Sequence, residues 1–238
     1  MAPADLVVEP TAAQAARAAA DLVAASLRAA ISARGTASVA FSGGQTPTAM
    51  LEALAVIPLP WQVVHVFQVD ERVASDGDPA RNSTALRHAL LDHVDTSSHL
   101  MDVTALDLVE SAQRYAGLLQ AHEPLDVVHL GVGDDGHTAS WPPGAPVLDE
   151  DDRARAARSR AGNLDVAIVG LFRGFVRMTI TPRVVDRARA VVLLVAGADK
   201  ASVLTRLLAN DPTVVASRVL GPRTTVVADN AAAAGTRR

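Results

Sequence analysis

Four short clusters in this chain combine residue types able to hold or transform a polar substrate. Phe41-Ser42-Gly43-Gly44-Gln45-Thr46-Pro47 joins a double glycine to a helix start with Pro47 in its first turn. Glycines let a backbone approach an anion closely, and a helix N-terminus presents unpaired N–H groups and a positive dipole. Ser42 and Thr46 add hydroxyl donors; an ordinary βα turn capped by Thr46 fits the same residues. Asp70-Glu71-Arg72 ends an otherwise apolar run, as either a solvated turn or the edge of a site.

Gly131-Val132-Gly133-Asp134-Asp135-Gly136-His137 has the form of a dinucleotide-binding GxGxxG. Two aspartates inside the loop would repel a pyrophosphate, and Pro142-Pro143-Gly144 ends any following helix too soon for that unit. His137 instead stands at a glycine-rich strand end. Histidine titrates near neutrality, so it can act there as a base, or else merely cap the loop. Lys200 is the one lysine in a total of 22 Lys and Arg. Its compact ammonium suits a phosphate near a helix start better than a planar guanidinium does, although one unique residue can also arise by chance. The other histidines (His65, His88, His93, His99, His122 and His129) show no metal-ligand spacing and read as surface or packing residues. No GxSxG elbow supplies a serine nucleophile.

The elements that must carry these clusters follow from the alternation of short apolar runs with alanine-rich stretches, the pattern of a mostly parallel sheet flanked by helices. Strands are predicted at 36–41, 62–69, 126–131, 164–170, 190–196 and 224–228. Helices are predicted at 11–33, 46–55, 81–93, 107–121 and 199–209, and 142–162 reads as an exposed loop or partial helix. Each cluster directly follows a predicted strand. Ligands of open parallel sheets bind outside the carboxyl ends of the strands, so the four clusters converge if those strands are neighbours.

The 238 residues carry no clear linker or repeat, which predicts one α/β domain over 1–238. Zero cysteines exclude disulfides and thiolate chemistry and fit a reducing compartment. A net charge of −4 argues against a nucleic-acid binder, so any phosphate must be held by a local site. The N-terminus lacks the pattern of a secretory signal and no window is apolar enough to span a bilayer. A cytoplasmic protein with no membrane partner is expected, as a monomer or small homo-oligomer.

Taken in order, the clusters resemble the 6-phosphogluconolactonase family. Ser42-Gly43-Gly44-Gln45-Thr46-Pro47 resembles its SGGxTP loop, and Asp70-Glu71-Arg72 with Asp78 and Asn82 resembles its DERxVPxDDxxSN segment. Leu130 to Ser140 matches LGxGxDGHTAS, the most specific of the elements; Arg177-Met178-Thr179-Ile180-Thr181 and Gly197-Ala198-Asp199-Lys200 resemble RxTLT and GxxK. Ala74, Ser75, Pro142 and the Arg173-Gly174-Phe175 stretch depart from the pattern. The resemblance implies a NagB/ribose-5-phosphate isomerase-like (Rossmann-like) fold. It also implies hydrolysis of 6-phosphoglucono-δ-lactone in the pentose phosphate pathway, with neither metal nor organic cofactor. In that reading His137 is the base and Arg72 with glycine-loop N–H groups steadies the oxyanion. Asp70 orients a sugar hydroxyl or His137, and Ser42, Gly43, Gly44, Thr46, Arg177 and Lys200 hold the phosphate. Glucosamine-6-phosphate deaminase is the nearest rival, and a non-catalytic sugar-phosphate sensor the rival of another class.

Overall fold

The computed structural model describes residues 4–144 and 165–236. Its main sheet has seven parallel strands: β1 (Asp5–Glu9), β2 (Ala37–Phe41), β3 (Val64–Gln68), β5 (Ser97–His99), β6 (Val127–Gly131), β9 (Ala190–Val195) and β10 (Thr224–Asp229). Their order is β1-β10-β9-β6-β2-β3-β5. A second, antiparallel sheet has the order β4-β8-β7, from β4 (Asp70–Arg72), β7 (Val166–Phe172) and β8 (Phe175–Ile180).

Helices cover both faces of the main sheet, which is why its central strands read as unbroken apolar runs. Alternate residues feed two cores. Val39, Phe41, Val64, Val66, Val192 and Leu194 pack with α1 (Ala12–Arg34) and α2 (Gln45–Ala55). Ala40, Phe67, Val128, Leu130, Leu193 and Val195 pack on the other face with α4 (Leu108–Gln120), α6 (Ala201–Leu208) and the second sheet. Thr11 caps α1 by accepting from the Gln14 N–H, and Gly35 ends it at φ 77, where its N–H reaches the Ile31 carbonyl. Within the described residues no helix is long and apolar enough to cross a membrane.

The predicted elements recur within a few residues of their expected ends, with four differences of substance. The helix expected over 81–93 is a short α3 (Asn82–Leu86) that continues as a π-helical stretch, Arg87–Leu91. The strand expected at 164–170 is Val166–Phe172, and it belongs to the second sheet. Asp70-Glu71-Arg72 is neither a turn nor only an edge; it is itself a strand, with Asp70 opposite Thr179 and Arg72 opposite Arg177. The strands β1, β5 and β8 and the helix α5 (Pro182–Arg187) were not foreseen. Most of the segment read as a loop over 142–162 lies outside the described residues.

One interaction ties α4 to the end of β3. The buried Tyr115 hydroxyl accepts from the Gln68 N–H at 2.7 Å and donates to the Gln68 carbonyl at 2.8 Å. Burial pushes its phenol up, so it stays protonated and can do both. Tyr115→Phe is expected to cost about 1–3 kcal/mol, since it leaves buried backbone groups unpaired. Urea unfolding at an unchanged m-value measures this; a variant as stable as the parent would show that the two bonds add nothing net.

Candidate active site

The strands β9, β6, β2 and β3 are consecutive neighbours in the sheet, and all run parallel. Their carboxyl ends therefore lie on one edge, and the four clusters that follow them meet there around a cleft of about 460 Å³. Ser42, Gly43, Gly44, Thr46, Asp70, Arg72, His137, Arg177 and Lys200 all line it. The condition set by the sequence, that the four strands be adjacent, is met.

One wall is the turn from β2 into α2. Gly44, not Thr46, is the N-cap; its φ of 119 is one that side-chain-bearing residues rarely adopt, and no side chain caps the helix. The first N–H groups of α2 are thus left to whatever occupies the cleft. Gly43 is required for a different reason. A β-carbon there would stand 2.2 Å from Asn82 Oδ1, because the Asn82 amide lies flat against the turn. The Ser42 hydroxyl is buried without a protein partner. Lys200, mostly buried, has its Nζ 3.8 Å from Asp199 Oδ2.

The opposite side carries the imidazole. Asp135 Oδ1 lies 2.5 Å from His137 Nδ1 and also accepts the His137 N–H at 3.1 Å. Burial would raise the Asp135 carboxyl, but its bonds to His137 and the charge of Arg173 hold it below the usual range. As a carboxylate it can only accept, so the Nδ1 carries the proton and Nε2 keeps the lone pair. The ring stands edge-on to Phe172, centroids 5.2 Å apart, and covers Gly133 so closely that a β-carbon there would meet it at 2.1 Å. Arg173, in the two-residue turn between β7 and β8, pairs with Asp134 and lies 3.3 Å from Asp135. Arg173 at φ 49 and Gly174 at φ 85 put that turn in the left-handed backbone region, which matches a two-residue turn to the right-handed twist of its strands.

Between these walls runs a buried polar chain. Arg177 Nη1 donates to Ser140 Oγ at 3.3 Å, and Ser140 Oγ donates to Asp70 Oδ2 at 2.5 Å. Asp70 Oδ1 accepts from the Asn82 amide at 3.0 Å. Burial raises the Asp70 carboxyl against the lowering pull of Ser140 and Arg177. Asp70 does not bond to His137; Asp135 fills that place. The Arg72 guanidinium sits 6.0 Å over the Phe175 ring and donates to the Ala80 carbonyl, and its Nε is buried without a partner.

Glu71, flanked by two cleft residues, points away from the cleft and has no exposed surface. It accepts from Gln68 Nε2 at 3.0 Å and from the N–H groups of Arg72, Asn82 and Ser83 at 2.8, 2.8 and 2.9 Å. Arg81 Nε adds an ion pair at 3.2 Å. The residues that sequence reasoning missed are Asp135, Ser140, Asn82 and Arg173. The closeness of Asp134 and Asp135 to His137 in the sequence was a signal, but it does not say which acid bonds the ring; the others depend on contacts that only the fold creates.

Residues 10–229 match the family described as glucosamine-6-phosphate isomerases/6-phosphogluconolactonase. A 6-phosphogluconolactonase of Synechocystis is 40% identical over 207 residues, covering 82% of this chain and 81% of its own. One of Rhizobium meliloti is 37% identical over 196 residues, covering 80% and 82%. Of solved structures, a 6-phosphogluconolactonase from Leishmania guyanensis superposes with TM-score 0.78 at 27% identity over the whole of both chains. A monomeric glucosamine-6-phosphate deaminase superposes equally well, TM-score 0.79 at 21% identity over 97% of this chain and 99% of its own.

The bonds to Glu71 carry a pH signature. Burial alone would raise its carboxyl, but the bonds from Gln68, Ser83 and Arg72 outweigh this and hold it below the usual range. A depressed folded pKa gives stability that is full at neutral pH and lost as pH falls below the ordinary glutamate value, roughly 4.3. Glu71→Gln is therefore expected to melt lower at pH 7 and to show a shallower decline between about pH 5 and 3. Asp70 is raised chiefly by burial and only in lesser part by the Glu71 charge, so most of its contribution is common to both proteins. Parallel acid limbs in the two melting profiles would remove Glu71 as the source.

Proposed function

The chain belongs to the glucosamine-6-phosphate isomerase/6-phosphogluconolactonase family, and from that premise we propose that it hydrolyses 6-phosphoglucono-δ-lactone to 6-phosphogluconate, with His137 as the base that activates water. The observation that carries this reading is the Asp135–His137 pair on the cleft wall, with Nδ1 engaged and Nε2 left basic.

A lactone is an activated ester, so water can attack its carbonyl directly. Nε2 of His137 takes a proton from that water as the new C–O bond forms. The carbonyl π electrons move onto oxygen, and Arg72 with nearby N–H groups stabilises that charge. The ring C–O bond then breaks, and the imidazolium returns its proton to the leaving ring oxygen. Asp135 holds the ring in one tautomer and supports the imidazolium, the part a carboxylate plays behind many catalytic histidines. The open N-terminus of α2, the hydroxyls of Ser42 and Thr46, and the cations Arg177 and Lys200 form the phosphate end. Binding the remote phosphate fixes the lactone carbonyl beside the base. Asp70, sequestered by Ser140, Asn82 and Arg177, positions Arg177 and leaves proton transfer to His137.

The deaminase superposition means that the fold cannot separate the two activities of the family. The residues favour the lactonase, because the loop reads Gly136-His137-Thr138-Ala139-Ser140, and Ser140 donates to Asp70. Release of ammonia from glucosamine 6-phosphate at a rate exceeding lactone hydrolysis would reverse the assignment.

His137→Asn is expected to lower kcat by roughly 10²–10⁴-fold with little change in KM, after subtraction of spontaneous lactone hydrolysis. A folded variant with parental kcat would make the histidine structural. Lys200→Ala is expected to act mainly on KM, with a loss of about 2–3 kcal/mol in kcat/KM if a charge-assisted phosphate contact is removed. Lys200→Arg should recover only part of it. An unchanged KM for Lys200→Ala would put the phosphate elsewhere in the cleft.

A further inference from the structure

Three histidines that show no ligand spacing in the sequence come together in the fold. His65 lies on β3, His99 opposite Phe67 on the edge strand β5, and His122 just beyond the C-terminus of α4. One nitrogen from each ring lies within 4.8 Å of those of the other two. None of the three lines the active-site cleft.

We propose that His65, His99 and His122 form a binding site for a borderline divalent transition-metal ion, zinc foremost, with a fourth position open to solvent.

The geometry is the first support. His65 Nδ1 and His99 Nε2 lie 3.1 Å apart. Zn–N bonds of ~2.0–2.1 Å at tetrahedral angles separate two ligand nitrogens by about 3.3–3.4 Å, so an ion needs only a small opening of this pair. The proton between the two nitrogens need not be lost, because a neutral imidazole can carry it on its far nitrogen instead. The second support is orientation. His122 Nδ1 lies 2.9 Å from the Leu118 carbonyl, which can only accept. That bond places the proton on Nδ1 and leaves Nε2 as a lone-pair donor, the outer-shell arrangement that metal-bound histidines use. The third is ligand chemistry. Three imidazoles without thiolate or carboxylate suit zinc, nickel or copper and disfavour magnesium and calcium. Each ring is only half-buried, so solvent reaches the group from the sheet edge.

A packing role for the same residues makes a different prediction. The rings pack on one another and on Phe67: His65 and His122 are tilted with centroids 4.2 Å apart, and Phe67 and His99 stack at 4.5 Å. Stacking alone does not require that one nitrogen of every ring converge, nor that His122 be fixed in a single tautomer.

The test titrates full-length protein, freed of metal by chelator and dialysis, with Zn²⁺ by calorimetry and with Co²⁺ by visible absorption. One equivalent of Zn²⁺ is expected, with the intense bands of low-coordinate cobalt. His99→Gln and His122→Gln should each weaken Zn²⁺ binding by more than the roughly 10–100-fold that loss of an outer-shell partner brings. His137→Asn should leave it unchanged, which separates this group from the cleft. Absence of an equivalent, binding that survives both glutamine variants, or binding lost in His137→Asn would each overturn the proposal. If neither glutamine variant folds, the parent's cobalt spectrum decides: intense bands support the site, and only the weak bands of hydrated cobalt refute it.

Discussion

Glu71 has no contact with solvent, and its carboxylate gathers the Gln68 amide and the backbone N–H groups of Arg72, Asn82 and Ser83. Those last two are among the free first-turn amides of α3, so one buried anion does the work of a cap from another segment. Fixing α3 fixes Asn82. Its amide reaches Asp70 on one side, and its side chain lies against Gly43 on the other, at a distance no β-carbon would allow. The glycine turn at the cleft, the buried Asp70 and the neighbouring Arg72 are thus registered to one another by Glu71, which does not line the cleft. A charge buried this deeply is costly unless every lone pair is used, and here the bonds outweigh the burial.

Strand order does the remaining positioning. Parallel strands place every carboxyl end on one edge, and the sequence β9-β6-β2-β3 puts four polar loops side by side there. The second sheet closes the cleft from the β4 side. Because β4 pairs with β8, Arg72 stands opposite Arg177, and two cations face the cleft from adjacent strands. They tolerate this because each has a local counterweight: Arg177 lies near Asp70 and over Phe172, and Arg72 near the Ala80 carbonyl and over Phe175.

The main sheet was legible because strands buried on both faces write themselves as apolar runs, and α1 because it carries a cap residue, a long alanine-rich body and a terminal glycine. The second sheet was harder. β4 is three charged residues, and no propensity rule makes Asp70-Glu71-Arg72 a strand; its pairing with β8 and the bonds to Glu71 do so. β5 is three residues at an edge, too short for any periodic signal. β8 did carry one, in the alternation of Val176, Met178 and Ile180 with Arg177 and Thr179. The convergence of the cleft residues followed from position alone, as each cluster sits just past a strand. The orienting carboxylate did not. Asp134 and Asp135 weighed against a dinucleotide, but a sequence does not say which of two adjacent acids turns back on its histidine.

The two aspartates nearest the chemistry show why identity of residue type does not settle role. Asp135 is partly exposed, held low by His137 and Arg173, and bonded to the imidazole twice. Asp70 is buried, raised by desolvation, and already shared among Ser140, Asn82 and Arg177. A base must have a free lone pair beside the water it deprotonates. Asp70 has its lone pairs engaged on both oxygens, and Asp135 has its own directed at Nδ1. His137 Nε2 is the nitrogen that these commitments leave over. In the proposed mechanism the division of labour therefore follows from environment: one carboxylate orients the imidazole, the other anchors a cation, and neither competes for the proton.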